Sequence, residues 1–399
     1  MLTLDKVYHA SYVLKEVVRR TDLIPASHLA PNSEIYLKPE NLQVTGSFKV
    51  RGAYYKMSVL SEEERARGVI ACSAGNHAQG VALAAQRKHI HATICLPDGA
   101  PISKVEATKR YGAEICLVPG VYDDAYQKAL QLRDEKGYTF IHPFNDEDVI
   151  AGQASIGLEL LDQLEDVEAV IVPVGGGGLI SGVAFAIKSL RPSCKVYGVQ
   201  AAGAASMFQS LHDGHAEALP SVSTFADGIA VKCPGDLTYD MCHQYVDDIV
   251  TVTDDEISTA ILTLIEQHKL IAEGAGAVSV AAAMFNKVPI QGKKTICLVS
   301  GGNIDVTILS RVITRGLLKT GRSLDITLAL SDRPGQLSLV SEIIAKHGGN
   351  VVSVYHDRSD LNMQVTDCFL RLSLETRDHA HAEEIIQALS DAGLQIIKS

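Results

Sequence analysis

Ala169-Val170-Ile171-Val172-Pro173-Val174-Gly175-Gly176-Gly177-Gly178-Leu179 runs an apolar strand into four glycines and then into a helix over 180–189. A strand apolar at every position is buried on both faces, as in a parallel sheet covered by helices. The four glycines leave four N–H groups unobstructed beside a helix amino terminus, which makes a phosphate cradle. Tight strand–helix packing is the structural alternative. A dinucleotide loop wants G-x-G-x-x-G and an acidic residue ending the next strand, but that strand ends at Val199-Gln200. No Gly-Lys-Ser/Thr follows, so the stretch is not a P-loop.

The same alternation extends in both directions. Gly68–Cys72 leads into a helix over 75–86, and His91–Leu96 into one over 101–111. Glu114–Val118 leads into 122–136, helix 152–163 precedes the glycine strand, and Lys195–Val199 follows it. Asp247–Val252 enters a helix over 254–268, and after a small-residue helix at 274–285 the strand Lys294–Val299 stops at Ser300-Gly301-Gly302-Asn303. Residues 206–245, punctuated by Gly, Pro and Asp, resist assignment. An α/β domain over 1–320 follows, with two open, mostly parallel sheets and a small subdomain at about 53–148. The tail reads differently: an alternating strand from Leu324, the turn Asp332-Arg333-Pro334-Gly335, helix 336–347, strands 351–356 and 365–374, helix 378–392 and a last strand at 394–397. That β-α-β-β-α-β order predicts a ferredoxin-like α+β domain over 325–399, joined by a linker at 321–324.

A net charge of -11 argues against nucleic acid or an anionic membrane as a partner. The eight cysteines form no CxxC pair, as expected of buried thiols in a reducing compartment. The amino terminus shows no signal-peptide pattern, and no apolar run approaches the roughly eighteen residues of a membrane span. These features predict a cytoplasmic protein.

Thr45-Gly46-Ser47-Phe48-Lys49-Val50-Arg51-Gly52 holds a lysine in a turn where the chain passes from its first strand into the first repeat. A buried lysine loses solvation, its pKa falls, and its neutral amine attacks carbonyls. A solvated lysine opening a helix is the ordinary alternative. Ser73-Ala74-Gly75-Asn76-His77 joins another strand to a helix, with Ser73 as a candidate N-cap and N–H groups suited to a carboxylate. His77 alone reads equally as structural or catalytic, and Ser300 as a ligand hydroxyl or a cap. Together the strand ends offer an amine, a carboxylate site, a phosphate site and a hydroxyl. Those are the needs of a pyridoxal phosphate enzyme acting on an amino acid.

On these motifs, residues 5 to about 318 resemble the fold-type II (tryptophan synthase beta-like) pyridoxal phosphate enzymes, specifically the serine/threonine dehydratases. The resemblance implies that Lys49 carries the cofactor as a Schiff base and that Phe48 lies against its ring. It gives Asn76 to the cofactor 3-oxygen and Ser73, Ala74, Gly75, Asn76 and His77 to the substrate carboxylate. Gly175, Gly176, Gly177, Gly178 and Leu179 would hold the phosphate, and Ser300 would meet the pyridine nitrogen. The implied reaction converts L-threonine to 2-oxobutanoate and ammonia, and L-serine to pyruvate. Similar serine racemases carry a second serine where this chain has Ala74, and bind a divalent cation where it has Gln200 and Ser206, so neither racemisation nor that metal is expected. Racemisation or hydroxyaspartate dehydration on the same scaffold is the alternative. A sensor built on a dead catalytic domain would have lost parts of the cofactor set, and all of them remain. The tail resembles an ACT domain, with Pro334, Gly335, Gln336, Leu337 and Asn350 as regulatory candidates. This implies an amino-acid or nucleotide effector and a homodimer or homotetramer. Its length lies between short catabolic dehydratases and the longer biosynthetic forms that answer to isoleucine.

Overall fold

The computed structural model describes residues 2–359 and 364–398. The chain divides into two compact units, Met1–Ile308 and Leu309–Ser399. The division falls within the helix Val306–Lys319, earlier in the chain than the expected boundary at 320.

The first unit contributes ten strands: β1 (Ile24–Pro25), β2 (Glu34–Pro39), β3 (Val69–Cys72), β4 (Ala92–Pro97), β5 (Glu114–Val118), β6 (Thr139–Phe140), β7 (Ala169–Pro173), β8 (Lys195–Ala201), β9 (Asp248–Val252) and β10 (Lys294–Val299). One sheet has the order β1-β2-β10-β7-β8-β9, parallel except for the short antiparallel β1. The other, β5-β4-β3-β6, is wholly parallel. β7 is buried at every position, as its apolar run requires, with Val170 and Val172 packed among Ile180, Val183 and Leu160 of the covering helices. Each such side chain contributes about 1.5–3 kcal/mol of burial. Residues 206–245 contain two helices, Ser206–Asp213 and Asp236–Tyr245, short enough to leave little periodicity to read. The expected helix over 254–268 is α-helical only to Thr263 and finishes in a π-helical turn, Leu264–His268.

The two parallel sheets turn the carboxyl ends of β2, β3, β7 and β10 toward one crevice, where ligands of open α/β folds bind. Those ends deliver the lysine turn, Ser73, the glycines and Ser300.

The second unit adds β11 (Ser323–Ser331), β12 (Asn350–Asp357), β13 (Asp367–Glu375) and β14 (Gln395–Lys398) in the antiparallel order β12-β13-β11-β14, with helices Gln336–Lys346 and His379–Asp391. This is the ferredoxin-like arrangement. Ser323 pairs with Glu375 and Leu324 with Leu374, so the expected linker at 321–324 is shorter: its last two residues belong to the sheet. No helix among the described residues is long and apolar enough to cross a membrane.

Candidate active site

Thr45 and Gly46 both take positive φ, 69° and 73°, which turns the chain sharply before Lys49. The turn is sewn to the end of β10: Ser47 forms a bridge with Gly301, and the Phe48 N–H donates to the Ser300 carbonyl at 3.1 Å. Lys49 is the first residue of the helix Lys49–Ser58. That helix lies close against its neighbours because glycines face them. A Cβ on Gly80 would come within 3.1 Å of the Lys49 carbonyl, and one on Gly152 within 2.6 Å of the Arg51 oxygen.

Beneath the lysine, Arg51 is fully buried and forks onto Glu40 at 2.8 and 2.9 Å. It also reaches Glu159 at 2.6 Å, whose other oxygen takes Lys38 at 2.6 Å. Two cations and two anions thus balance in a water-excluded layer that fixes the start of the helix.

The Lys49 Nζ donates to the Pro143 carbonyl at 2.8 Å and lies 5.2 Å from the centre of the Phe48 ring. Burial pulls its pKa down to about 8, against the opposing pull of Glu273. Lys49 is half-buried and its amine lies in the cavity wall, held by the Pro143 carbonyl, so it is not a solvated surface lysine.

Every catalytic, substrate and cofactor residue expected from the sequence lines one cavity of about 950 Å³. Two of the expected roles change. Ser73 is not the N-cap of the helix Asn76–Lys88: Gly75 is, without a side-chain cap, and the Ser73 hydroxyl instead accepts from the Gly75 N–H at 3.1 Å. The first-turn N–H groups stay open toward the cavity, and a Cβ on Gly75 would meet nothing within 4 Å. The His77 side chain is structural. It is buried with Nε2 on the Ile141 carbonyl at 2.8 Å, and burial with the nearby Lys49 drives its pKa to about 3. Only its main chain remains available to an anion.

Helix Gly178–Leu190 begins from Gly177, φ 96°, again with no side-chain cap. A Cβ on Gly176 would sit 2.4 Å from the Phe144 ring, and one on Gly178 would sit 2.8 Å from the Phe144 Cα. Only glycine lets this loop bend close under Phe144 while its N–H groups form a concave anion seat. This suits a phosphate. Ser300 is 3% exposed and donates to the Ala275 carbonyl at 3.3 Å. The next helix starts at Val306, so Ser300 is no cap.

Three residues that sequence reasoning did not single out complete the site. Asn303 Nδ2 bonds both the Thr45 carbonyl and Asn76 Oδ1, each at 2.7 Å, tying the lysine turn to the Ser73–His77 loop. Glu273 accepts from Asn76 Nδ2 at 2.6 Å, and burial raises its carboxyl to about 7. Phe144 roofs the glycine loop. Asn303 stood in the quoted Ser-Gly-Gly-Asn run, whereas Glu273 had only its place ahead of Gly274-Ala275-Gly276 as a signal. At the cavity wall Lys104 also pairs with Asp227.

Gln200 and Ser206 are buried and offer no carboxylate; Gln200 Oε1 accepts from the Phe208 N–H at 2.8 Å. In the second unit, Pro334, Gly335, Gln336 and Leu337 line a separate cavity of about 390 Å³. Asn350 does not join them. It opens β12 at the far end of an antiparallel sheet, where its amide bonds Glu375 at 2.8 Å.

The chain belongs to the pyridoxal-phosphate dependent enzyme family, whose model matches residues 14–302. Pyridoxal phosphate is accordingly its cofactor, and the lysine, the glycine seat and the buried hydroxyl fit that group. Within the family, the chain is 52% identical over 398 residues to the L-threonine ammonia-lyase of Thermotoga maritima, covering 99% of each protein. It is 40% identical to the solved processed form of threonine deaminase isoform 2 from Solanum lycopersicum, with a TM-score of 0.74 over 79% of this chain and 89% of that one. Maize serine racemase is 35% identical, with a TM-score of 0.74 over 80% of this chain and 98% of that one.

Proposed function

We propose that this chain is a threonine ammonia-lyase, releasing 2-oxobutanoate and ammonium from L-threonine and pyruvate and ammonium from L-serine. The observation that carries the reading is the convergence, in one cavity, of a half-buried, low-pKa amine with the glycine seat, the open Gly75 loop and Ser300. The full-length likeness to an enzyme of that name supports it.

Pyridoxal phosphate, when bound, supplies an electron sink that acidifies the Cα–H of an amino acid. The main-chain N–H groups at Gly175–Leu179 hold its phosphate. Lys49 would anchor the group, and its amine would take the proton from Cα of the substrate. In the Ser73–His77 loop the N–H groups of Ala74, Asn76 and His77 orient the substrate carboxylate, since those of Ser73 and Gly75 are already bonded to the Cys95 carbonyl and the Ser73 hydroxyl. Asn76 gives one amide hydrogen to Glu273, and its second is available to the cofactor 3-oxygen. Ser300 would turn its neutral hydroxyl from the Ala275 carbonyl to the ring nitrogen. It does not enforce a positive charge there, which favours prompt loss of the β-hydroxyl over transamination. After release, water adds to the imine carbon of the product and the C–N bond breaks, giving the 2-oxo acid and ammonium.

Ala74 has no proton to give or take. This reading assigns proton transfer at Cα to Lys49 and none to position 74, so elimination prevails over inversion, and the racemase alternative is disfavoured.

The second unit acts in this reading as an ACT-like regulatory domain that takes a small effector, an amino acid or a nucleotide, at the 334–337 loop. A homodimer or homotetramer in the cytoplasm and a place in isoleucine formation belong to the same proposal. The test is oxo-acid release from a panel of β-hydroxy amino acids, with and without branched-chain amino acids, by the full chain and by a chain lacking 325–399. Threonine and serine should lead the panel, and any effector response should vanish with the tail.

A further inference from the structure

In the second unit, three strands bring together side chains that are far apart in sequence. Asp332 follows β11 directly, His356 lies on β12 opposite Leu370, and Cys368 lies on β13 opposite Leu330. A carboxylate oxygen, an imidazole nitrogen and a thiol sulfur, one from each residue, all lie within 4.8 Å of one another. All three line the cavity of about 390 Å³ beside the Pro334-Gly335 turn.

The geometry points to a transition-metal site formed by Asp332, His356 and Cys368, taking Zn²⁺ or a similar borderline ion. The donor set decides the class. A thiolate with an imidazole selects zinc-like ions, whereas Mg²⁺ and Ca²⁺ require oxygen ligands throughout. His356 Nε2 stands 3.7 Å from Asp332 Oδ1. That is too long for a hydrogen bond but close to the roughly 3.3 Å edge between two ligands of a tetrahedral Zn²⁺. Asp332 and His356 are both exposed and can close the remaining distance, while buried Cys368 fixes the floor. Binding replaces the Cys368 S–H bond by an S–metal bond and releases the proton to water. Carboxylate and thiolate then neutralise the divalent charge.

Arg358 forks onto the Asp332 carboxylate, with Nε at 3.0 Å from Oδ2 and a terminal nitrogen at 3.1 Å from Oδ1. It orients that ligand from outside the cluster, and its 65% exposed side chain keeps its charge in solvent. Three protein ligands leave a fourth position open to the cavity, as in zinc sites that accept a small ligand. The site does not depend on the catalytic assignment of the first unit.

The experiment is equilibrium dialysis of the full chain against Zn²⁺ alone. About one equivalent per chain should bind, and Cys368→Ser and His356→Ala should each weaken binding at least about tenfold. Cys233→Ser, which removes an exposed thiol elsewhere, should leave binding unchanged. In the Cys233→Ser chain, Co²⁺ should give the visible bands of a tetrahedral thiolate complex, a readout that needs no ligand variant. Sub-stoichiometric Zn²⁺, binding indifferent to Cys368→Ser and His356→Ala, or Co²⁺ without thiolate bands would overturn the site.

Discussion

Asn76 Nδ2 lies 2.6 Å from Glu273 Oε1, although Asn76 opens the helix that follows β3 and Glu273 caps the helix Gly274–Met284, 197 positions away. Through Asn303, the same asparagine is tied to the carbonyl of Thr45, four residues before Lys49. The lysine turn, the Ser73–His77 loop and the segment after β10 are therefore one hydrogen-bonded assembly.

Glu273 should tune the lysine. The carboxyl, raised to about 7 by burial, ionises as pH climbs through neutrality, and its anion favours the charged form of Lys49. Lys49 reacts as the neutral amine, about one-tenth of the population at pH 7 for a pKa of about 8. Uptake of pyridoxal phosphate by the cofactor-free protein should slow as pH falls below 8. In Glu273→Gln the raising charge is gone, so the decline should move to lower pH. Stopped-flow uptake at several pH values checks this, and an unmoved or upward-shifted profile would remove Glu273 from the account.

The glycine seat predicts a specific loss. In Gly178→Ala the new methyl meets the Phe144 main chain, which cannot rotate aside. Cofactor affinity should fall at least about tenfold, or roughly 1.4 kcal/mol. Fluorescence titration with pyridoxal phosphate measures it, and unchanged affinity would place the phosphate elsewhere.

The absent hydroxyl at 74 bears on stereochemistry. A positioned acid or base is worth about 10²–10⁴ in rate. D-Serine should therefore form from L-serine at least about a hundredfold more slowly than ammonia, and Ala74→Ser should narrow that gap. Chiral chromatography of the reaction mixture decides it. Comparable rates in the unsubstituted chain would refute the assignment.

Arg51 tests the layer under the site. Arg51→Met leaves Glu40 buried without its fork and should cost about 3–5 kcal/mol of stability. Denaturant unfolding measures this, and a loss below 1 kcal/mol would mean the network relaxes onto water.

Much of this was legible in the sequence because apolar runs such as 169–174 are dictated by burial on both faces, and glycine runs by main-chain approach. Ser73, the glycines and Ser300 each stand at a strand end and Lys49 opens a helix after a Gly/Ser turn, where local pattern speaks. Glu273 and Asn303 act through partners 197 and 227 residues from them or more, which no local pattern encodes. His77 was ambiguous because a histidine at a helix start looks the same whether its ring faces a substrate or the Ile141 carbonyl. The Asp332, His356 and Cys368 cluster was invisible for a related reason, since strand order rather than spacing brings it together.

The central claim is that Lys49, in this cavity, performs threonine deamination. Its most direct test is 2-oxobutanoate release from L-threonine by the purified chain loaded with pyridoxal phosphate, beside Lys49→Ala treated identically. The account predicts steady release by the unsubstituted chain and none above background in the variant. Absence of 2-oxobutanoate from the first, or an undiminished rate in the second, would contradict it.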